Sequence, residues 1–303
     1  LHGKPDDDIE PFYGVVIKEK RKDGVGTMLE AAEYQKLKDH TKQIRKDCTN
    51  MFYKWGHGHF GGCFSCAEIM AVLYFHAMKV DPENPSWEER DRFLLGKGHA
   101  AAALFSALCQ KGFFPREQIE EYGDLGAHLN THPSLGRVRG LDASSGSLGH
   151  GLPIGLGMAY AAKMENKSYN TYVLLGDGEC HEGMIWEGAM AAPQFKLDNL
   201  ITIVDRNRLC IAGNTEDWMP LEPFAEKWKA FNWTVFEVDG HDINALVDTL
   251  DTAVSQKDGT PKVIIANTVK GKGVSYMEGD PAWHAGHMNQ EQYDKAMREI
   301  EEM

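Results

Sequence analysis

Two short segments carry side chains that could do chemistry together. Gly176-Asp177-Gly178-Glu179-Cys180-His181-Glu182-Gly183 follows the apolar run Tyr172–Leu175. Asp205-Arg206-Asn207 follows a second run, Leu200–Val204. Both runs read as buried strands, and 184–195 between them reads as a helix. An Asp and an Asn at the ends of adjacent strands can share one metal ion. The Asp177 carboxylate and the Asn207 amide oxygen form a sparse set of hard ligands. Magnesium takes such ligands and completes its octahedron with phosphate oxygens and water. The glycines leave room for a diphosphate beside the ion, and a glycine-rich turn opening a helix turns free N–H groups toward an anion.

Positioning these groups requires strands whose carboxyl ends share one edge. The pattern supplies them. Residues 29–53, 67–78, 99–111, 115–122, 152–163, 223–231, 243–256 and 290–302 read as helices. Residues 92–95, 234–238 and 262–267 join the two runs above as strands. Strands alternating with helices predict an α/β fold, a parallel sheet covered by helices on both faces. Residues 123–151 form a long Gly-, Ser- and His-rich loop, a length that in a compact domain is usually functional. Residues 1–27 are expected to be an extension or a segment of artificial origin, and 28–303 one domain.

The 303 residues carry a net charge of −13 with 42% hydrophobic residues. That is an ordinary globular composition, without the basic stripe that nucleic acid or an anionic membrane would need. An anionic cofactor must then be held by local histidines, metal and backbone. The six cysteines are scattered, and Cys63 and Cys66 lack the second pair that a zinc site would use. This usage suits a reducing, cytoplasmic setting. No apolar stretch approaches a membrane-spanning length, and no secretory signal is visible.

The spacing from Gly176-Asp177-Gly178 to Asn207 resembles the thiamine-diphosphate motif of the transketolase superfamily. Gly58-His59-Phe60-Gly61-Gly62, Asp91–His99 and Asn130-Thr131-His132-Pro133 resemble the histidine loops of transketolases. Gly146-Ser147-Leu148-Gly149-His150-Gly151 is similar to the loop that holds the aminopyrimidine. Trp283-His284 after Lys270-Gly271-Lys272-Gly273 resembles the last histidine of the cofactor half. All occur in family order.

The resemblance implies roles. A magnesium ion, or calcium or manganese in its place, is expected on Asp177, Asn207 and the Leu209 carbonyl. Gly146, Leu148 and Gly178 are expected against thiamine diphosphate, with Asn207 also beside it. His99 and His284 are similar to residues that touch the diphosphate and the reacting carbon. His59 and His132 are similar to those that contact the donor's hydroxyls. Glu182 and Glu187 resemble acids in the proton network between cofactors. His57 has no clear counterpart, and His150 stands where many relatives carry glutamine.

A full transketolase has further domains, and one of them carries the glutamate that acts on the aminopyrimidine. The resemblance therefore implies the N-terminal, diphosphate-binding subunit of a split transketolase. Its expected partner is a C-terminal subunit with the pyrimidine-binding domain, in a heterotetramer. Trp186 and Met190 are candidate partner contacts, or equally core residues. The reaction expected is transfer of a two-carbon ketol unit from a ketose, by default a phosphorylated one, to an aldose. Two alternatives stay open: a 2-oxo acid decarboxylating or deoxyxylulose-phosphate-type synthase, and a non-catalytic cofactor-binding regulatory subunit.

Overall fold

Strand residues here alternate between two cores. In the computed structural model, which describes residues 29–303, Phe93, Tyr172, Leu174, Ile201, Ile203 and Ile264 face one buried cluster. Leu94, Val173, Leu175, Leu200, Val263 and Ile265 face the other. A strand buried on both faces must be apolar on both, which is why these runs are nearly unbroken. The expected segment 1–27 and its boundary at Met28 lie outside the described residues.

The sheet has five strands, all parallel: β1 (Arg92–Leu95), β2 (Thr171–Gly176), β3 (Leu200–Arg206), β6 (Thr234–Asp239) and β7 (Lys262–Asn267). Their spatial order is β1-β2-β3-β7-β6, so the last strand inserts between two earlier ones. Register puts Gly176 opposite Asp205 and Arg206 opposite Asn267. Helices α1 (Ala31–Trp55), α3 (Ala67–Val72), α4 (Ala101–Lys111) and α10 (Ile243–Ser255) supply the first cluster. Helices α6 (Gly151–Met164), α7 (Gly183–Gln194) and α9 (Phe224–Ala230) supply the second. The expected fold class holds.

Local differences have physical causes. Gly56, at φ +79°, closes α1 by returning its N–H to the Phe52 carbonyl. A short helix that the pattern did not announce, α2 (Phe60–Ser65), follows at once. The helix expected over 67–78 changes to a π turn at Leu73–Ala77. Past β3 the chain makes a small antiparallel hairpin, β4 (Leu209–Cys210) with β5 (Gly213–Asn214), too short to show a periodicity. Two short helices complete the set, α5 (Glu117–Glu120) and α8 (Thr215–Trp218). A final helix, α11 (Gln290–Glu302), starts on a capping box of Asn289 and Gln292.

Candidate active site

Parallel strands bring their carboxyl ends to one edge. There β1 delivers Lys97 and His99, β2 delivers Asp177, β3 delivers Asn207 and β7 delivers Lys270. The His59 and His284 loops are joined by a backbone bridge, with Gly58 N–H to Gly286 O at 2.8 Å and the reverse bond at 2.9 Å. Gly58 must be glycine, because a Cβ there would lie 2.0 Å from the Phe52 ring.

The floor of the site is a buried ion pair. Lys97, 1% exposed, donates to Asp205 and to the Gly62 carbonyl at 2.7 Å. Ser65 Oγ donates to the same carboxylate at 2.6 Å, as do the Thr268 hydroxyl and the Asn207 amide, the latter at 3.3 Å. Burial would raise the Asp205 pKa, but Lys97 and these donors hold it below the usual range. A buried carboxylate survives ionised only with such compensation.

Asp177 is less well matched. Its Oδ1 accepts the Gly178 N–H at 2.7 Å, and its Oδ2 accepts the Arg208 N–H and faces Arg206 at 3.3 Å. Burial and the neighbouring Asp205 charge still push its pKa up. A buried anion in that state has room for more positive charge. Asn207 Oδ1 accepts the Leu209 N–H at 3.1 Å. The Leu209 carbonyl accepts from Lys270 Nζ at 2.9 Å, and the same ammonium reaches His284 Nδ1 at 2.9 Å. Burial and Lys97 bring the Lys270 pKa down to about 8.

Asp177, Asn207 and Leu209 line one cavity of about 390 Å³, together with Leu148, Gly178 and Glu182. His99 and His284 open onto it. Their ring centroids are 5.1 Å apart, and His59 lies 5.4 Å from His99, 5.8 Å from His284 and 6.4 Å from His132. Burial lowers all of these imidazoles, His59 to about 4 and His284 to about 3, with His99 also well down and His132 less so. Each is therefore neutral near pH 7, with one nitrogen to donate and one to accept. They do not converge on an ion: among the described residues no three His, Cys, Asp or Glu side chains form a metal-binding group. The hard-oxygen set of Asp177, Asn207 and Leu209 is thus the candidate metal site. His181 Nε2, on the same wall, is buried without a hydrogen-bond partner among the described residues. Cavity volume, oxygen donors, the Lys270 ammonium and the unpaired His181 nitrogen together fit a metal-bound diphosphate cofactor.

Other expected residues sit elsewhere. Gly146 and His150 line a neighbouring cavity of about 300 Å³. Glu187 is exposed on α7, outside the 390 Å³ cavity. His57 is exposed, its ring 6.1 Å from His59. Trp186 packs within an aromatic cluster, stacked on Phe231 at 5.8 Å, and its Nε1 donates to the Cys180 carbonyl at 2.9 Å, while the side chain stays partly exposed. Met190, in contrast, is 63% exposed.

Sequence reasoning misses four residues here. Lys97, Lys270, Asp205 and Glu179 all lie within or beside the motifs but carry no expected role. Glu179 accepts the Gly149 and Gly176 N–H groups, each at 3.0 Å, and so ties the 146–151 loop to the β2 turn; burial pushes its pKa up to about 7. A signal exists for the ion pair. An acid ending a fully apolar strand needs a buried cation, and Lys97 follows another such strand.

Residues 37–300 match the family model described as transketolase, thiamine diphosphate binding domain. The chain is similar to an apulose-4-phosphate transketolase subunit of Phocaeicola vulgatus, 44% identical over 89% of this chain and 95% of the relative. It is similar to a 6-deoxy-6-sulfo-D-fructose transketolase subunit of a Clostridium species, 42% identical over 88% of this chain and 96% of the relative. Among solved structures, transketolase from Leishmania mexicana superposes with a TM-score of 0.82 at 27% identity, covering 88% of this chain but 41% of that one. The family model matched over most of the chain, and relatives this similar along nearly their whole length, make the chain a member of the transketolase family, matching its thiamine diphosphate-binding domain.

Proposed function

We propose that this chain is the diphosphate-binding subunit of a two-chain transketolase, moving a two-carbon ketol unit from a ketose to an aldose. One observation carries the reading: Asp177, Asn207, Leu209, His99 and His284 gather at one sheet edge around one cavity, with the His59 ring 5.4 Å from His99 and 5.8 Å from His284. Thiamine diphosphate, when bound, supplies the carbon nucleophile and electron sink that cleavage of a C–C bond requires.

The chain's own residues then divide the work. Asp177, Asn207 and the Leu209 carbonyl hold magnesium, with calcium or manganese able to replace it. The Lys270 ammonium, beside the Leu209 carbonyl and His284, would supply positive charge for the diphosphate. Gly178 permits close approach of the diphosphate, Leu148 and the Gly146 backbone face the pyrimidine side, and Glu182 borders it. His99 and His284 orient the diphosphate end and the reacting carbon. His59 and His132, neutral and outward of the other two, hydrogen-bond the donor's hydroxyls and pass protons there. Glu187 on exposed α7 suits contact with a neighbouring chain.

A partner belongs to this reading. The two relatives named as transketolase subunits are matched over 95% and 96% of their length, whereas the solved transketolase is matched over 41%. Exposed Ile154, Tyr160 and Met164 on α6, with Met190 on α7, offer a partner an apolar face. A C-terminal transketolase subunit fits, in a heterotetramer of two chains of each kind. The relatives are named for a ketose phosphate and a sulfonated ketose, which supports a ketose with an anionic terminus as donor. Six free thiols fit a reducing cytoplasm, and no described helix is long and apolar enough to cross a membrane.

The test is reconstitution. The chain and the C-terminal subunit from the same organism are purified separately and mixed with thiamine diphosphate, magnesium, ketose phosphates and aldose acceptors. Ketol transfer is expected only from the mixture. Robust transfer by this chain alone, free of host enzyme, refutes the split-site reading.

A further inference from the structure

Three polar side chains outside the cavity meet below the turn that carries Lys270. Arg45 on α1 is fully buried; its Nε donates to the Lys272 carbonyl at 2.8 Å, and its guanidinium pairs with Glu68 on α3 at 2.8 Å. Glu68 also takes His241 Nδ1 at 3.0 Å, from the loop between β6 and α10. His241 Nε2 accepts the Val269 N–H at 2.8 Å. Because a backbone amide can only donate, this tautomer is fixed: Nδ1 carries the proton and gives it to Glu68. Burial works to raise the Glu68 pKa, but Arg45 and His241 hold it down at about 2.

The turn gripped this way is tight. Lys272 N–H returns to the Val269 carbonyl at 3.2 Å, and Gly271 sits at φ +79° with the Met277 carbonyl oxygen 2.4 Å from where a Cβ would be. The neighbouring amides are tied to backbone, Thr268 to Arg206 O at 3.1 Å and Gly271 to Gly61 O at 3.1 Å. The Val269 amide is tied to a side chain instead. His241 holds one end of the turn by its amide, Arg45 holds the other by its carbonyl, and Glu68 joins the two.

We propose that Arg45, Glu68 and His241 act as a positioning clamp that sets where Lys270 stands, and thereby the affinity of the site for the diphosphate of the cofactor. None of the three lines the cavity. They act through Lys270, whose ammonium spans Leu209 and His284. The proposal rests on reading that cavity as the diphosphate site.

Two polar variants separate the clamp from general stability. His241→Asn keeps a donor near Nδ1 for Glu68 but is too short to reach Val269. His241→Gln places an acceptor near Nε2 and reaches it. In the full chain, amide hydrogen exchange over 269–272 is expected to speed up in His241→Asn and stay near wild type in His241→Gln. Calorimetric titration of the two-chain complex with thiamine diphosphate and magnesium is expected to show about a tenfold loss for Asn and rescue by Gln. In a Lys270→Met background, His241→Asn is expected to add no further loss. Equal exchange in the Asn and Gln variants, or a loss fully additive with Lys270→Met, overturns the clamp. Asp177→Ala run alongside distinguishes the two readings. If it weakens binding while His241→Asn does not, the clamp fails and the site stands; if neither matters, the site reading fails, and the exchange result still decides whether the clamp exists.

Discussion

The floor and the rim of the cavity are built differently. On the floor every charge has a partner from the same chain: Lys97 with Asp205, and Ser65, Thr268 and Asn207 closing the remaining valences. On the rim His57 is exposed, His132 is half-buried, and the α6–α7 face presents apolar side chains to solvent. The floor is finished by folding, whereas the rim leaves its side chains open to solvent. In the proposed function, the diphosphate half of the site is therefore built apart from the substrate half.

The comparison breaks first at the floor. Lys97→Met strands a buried carboxylate and is expected to cost about 3–5 kcal/mol of folding stability, together with cofactor binding. Chemical denaturation measures it; a loss below about 1 kcal/mol would mean that water already reaches Asp205. Asp177→Ala is expected to leave the fold intact but to weaken magnesium-dependent cofactor binding by about 100-fold, read by calorimetry on the assembled complex. Unchanged affinity would remove Asp177 from the metal site.

The rim predicts a different signature. His59→Ala and His132→Ala are each expected to raise the barrier to donor cleavage by about 1.5–3 kcal/mol, with cofactor affinity near wild type. Normal turnover with collapsed affinity would move these residues to the floor. Met190→Asp on exposed α7 is expected to weaken assembly about tenfold or more, by burying a charge against the partner; sedimentation of the mixed chains in an analytical ultracentrifuge decides it.

The smallest effect lies far from both regions. His76 pairs with Glu33 at 3.0 Å and Asp251 at 3.1 Å. Burial lowers its pKa, yet these two acids outweigh that and raise it above the ordinary value. The pair's stabilisation is thus full below about pH 6.5, the unfolded value, and is lost as pH rises through the folded pKa. The contribution is expected to be under about 1 kcal/mol. His76→Gln should flatten this slope in thermal melts across that window.

Apolar runs such as 172–175 and 200–204 announce their strands because burial on both faces leaves little room for polar residues, with Thr202 the exception. The ends of those strands are equally clear, since Gly, Asp and Asn mark where the backbone must turn. The spatial order of the strands is not readable, because nothing in a local pattern says that β7 enters between β3 and β6. The clamp is hidden for a related reason: Arg45 and Glu68 sit on separate helices and His241 on a loop, and only the fold brings them together. Trp186 shows a different limit. A large apolar residue beside small ones reads equally as interface or core, and only the fold brings three other aromatics against it.

Asp205 also orders events in time. Its donors come from residues 65, 97, 207 and 268, so one carboxylate gathers segments spread over most of the chain. Until β7 slides in beside β3, Thr268 is missing and the edge of β3 stands open. Contacts of such separation form slowly and together. A chain emerging from the ribosome therefore cannot complete the pocket until Thr268, and Lys270 and His284 behind it, have left the exit tunnel.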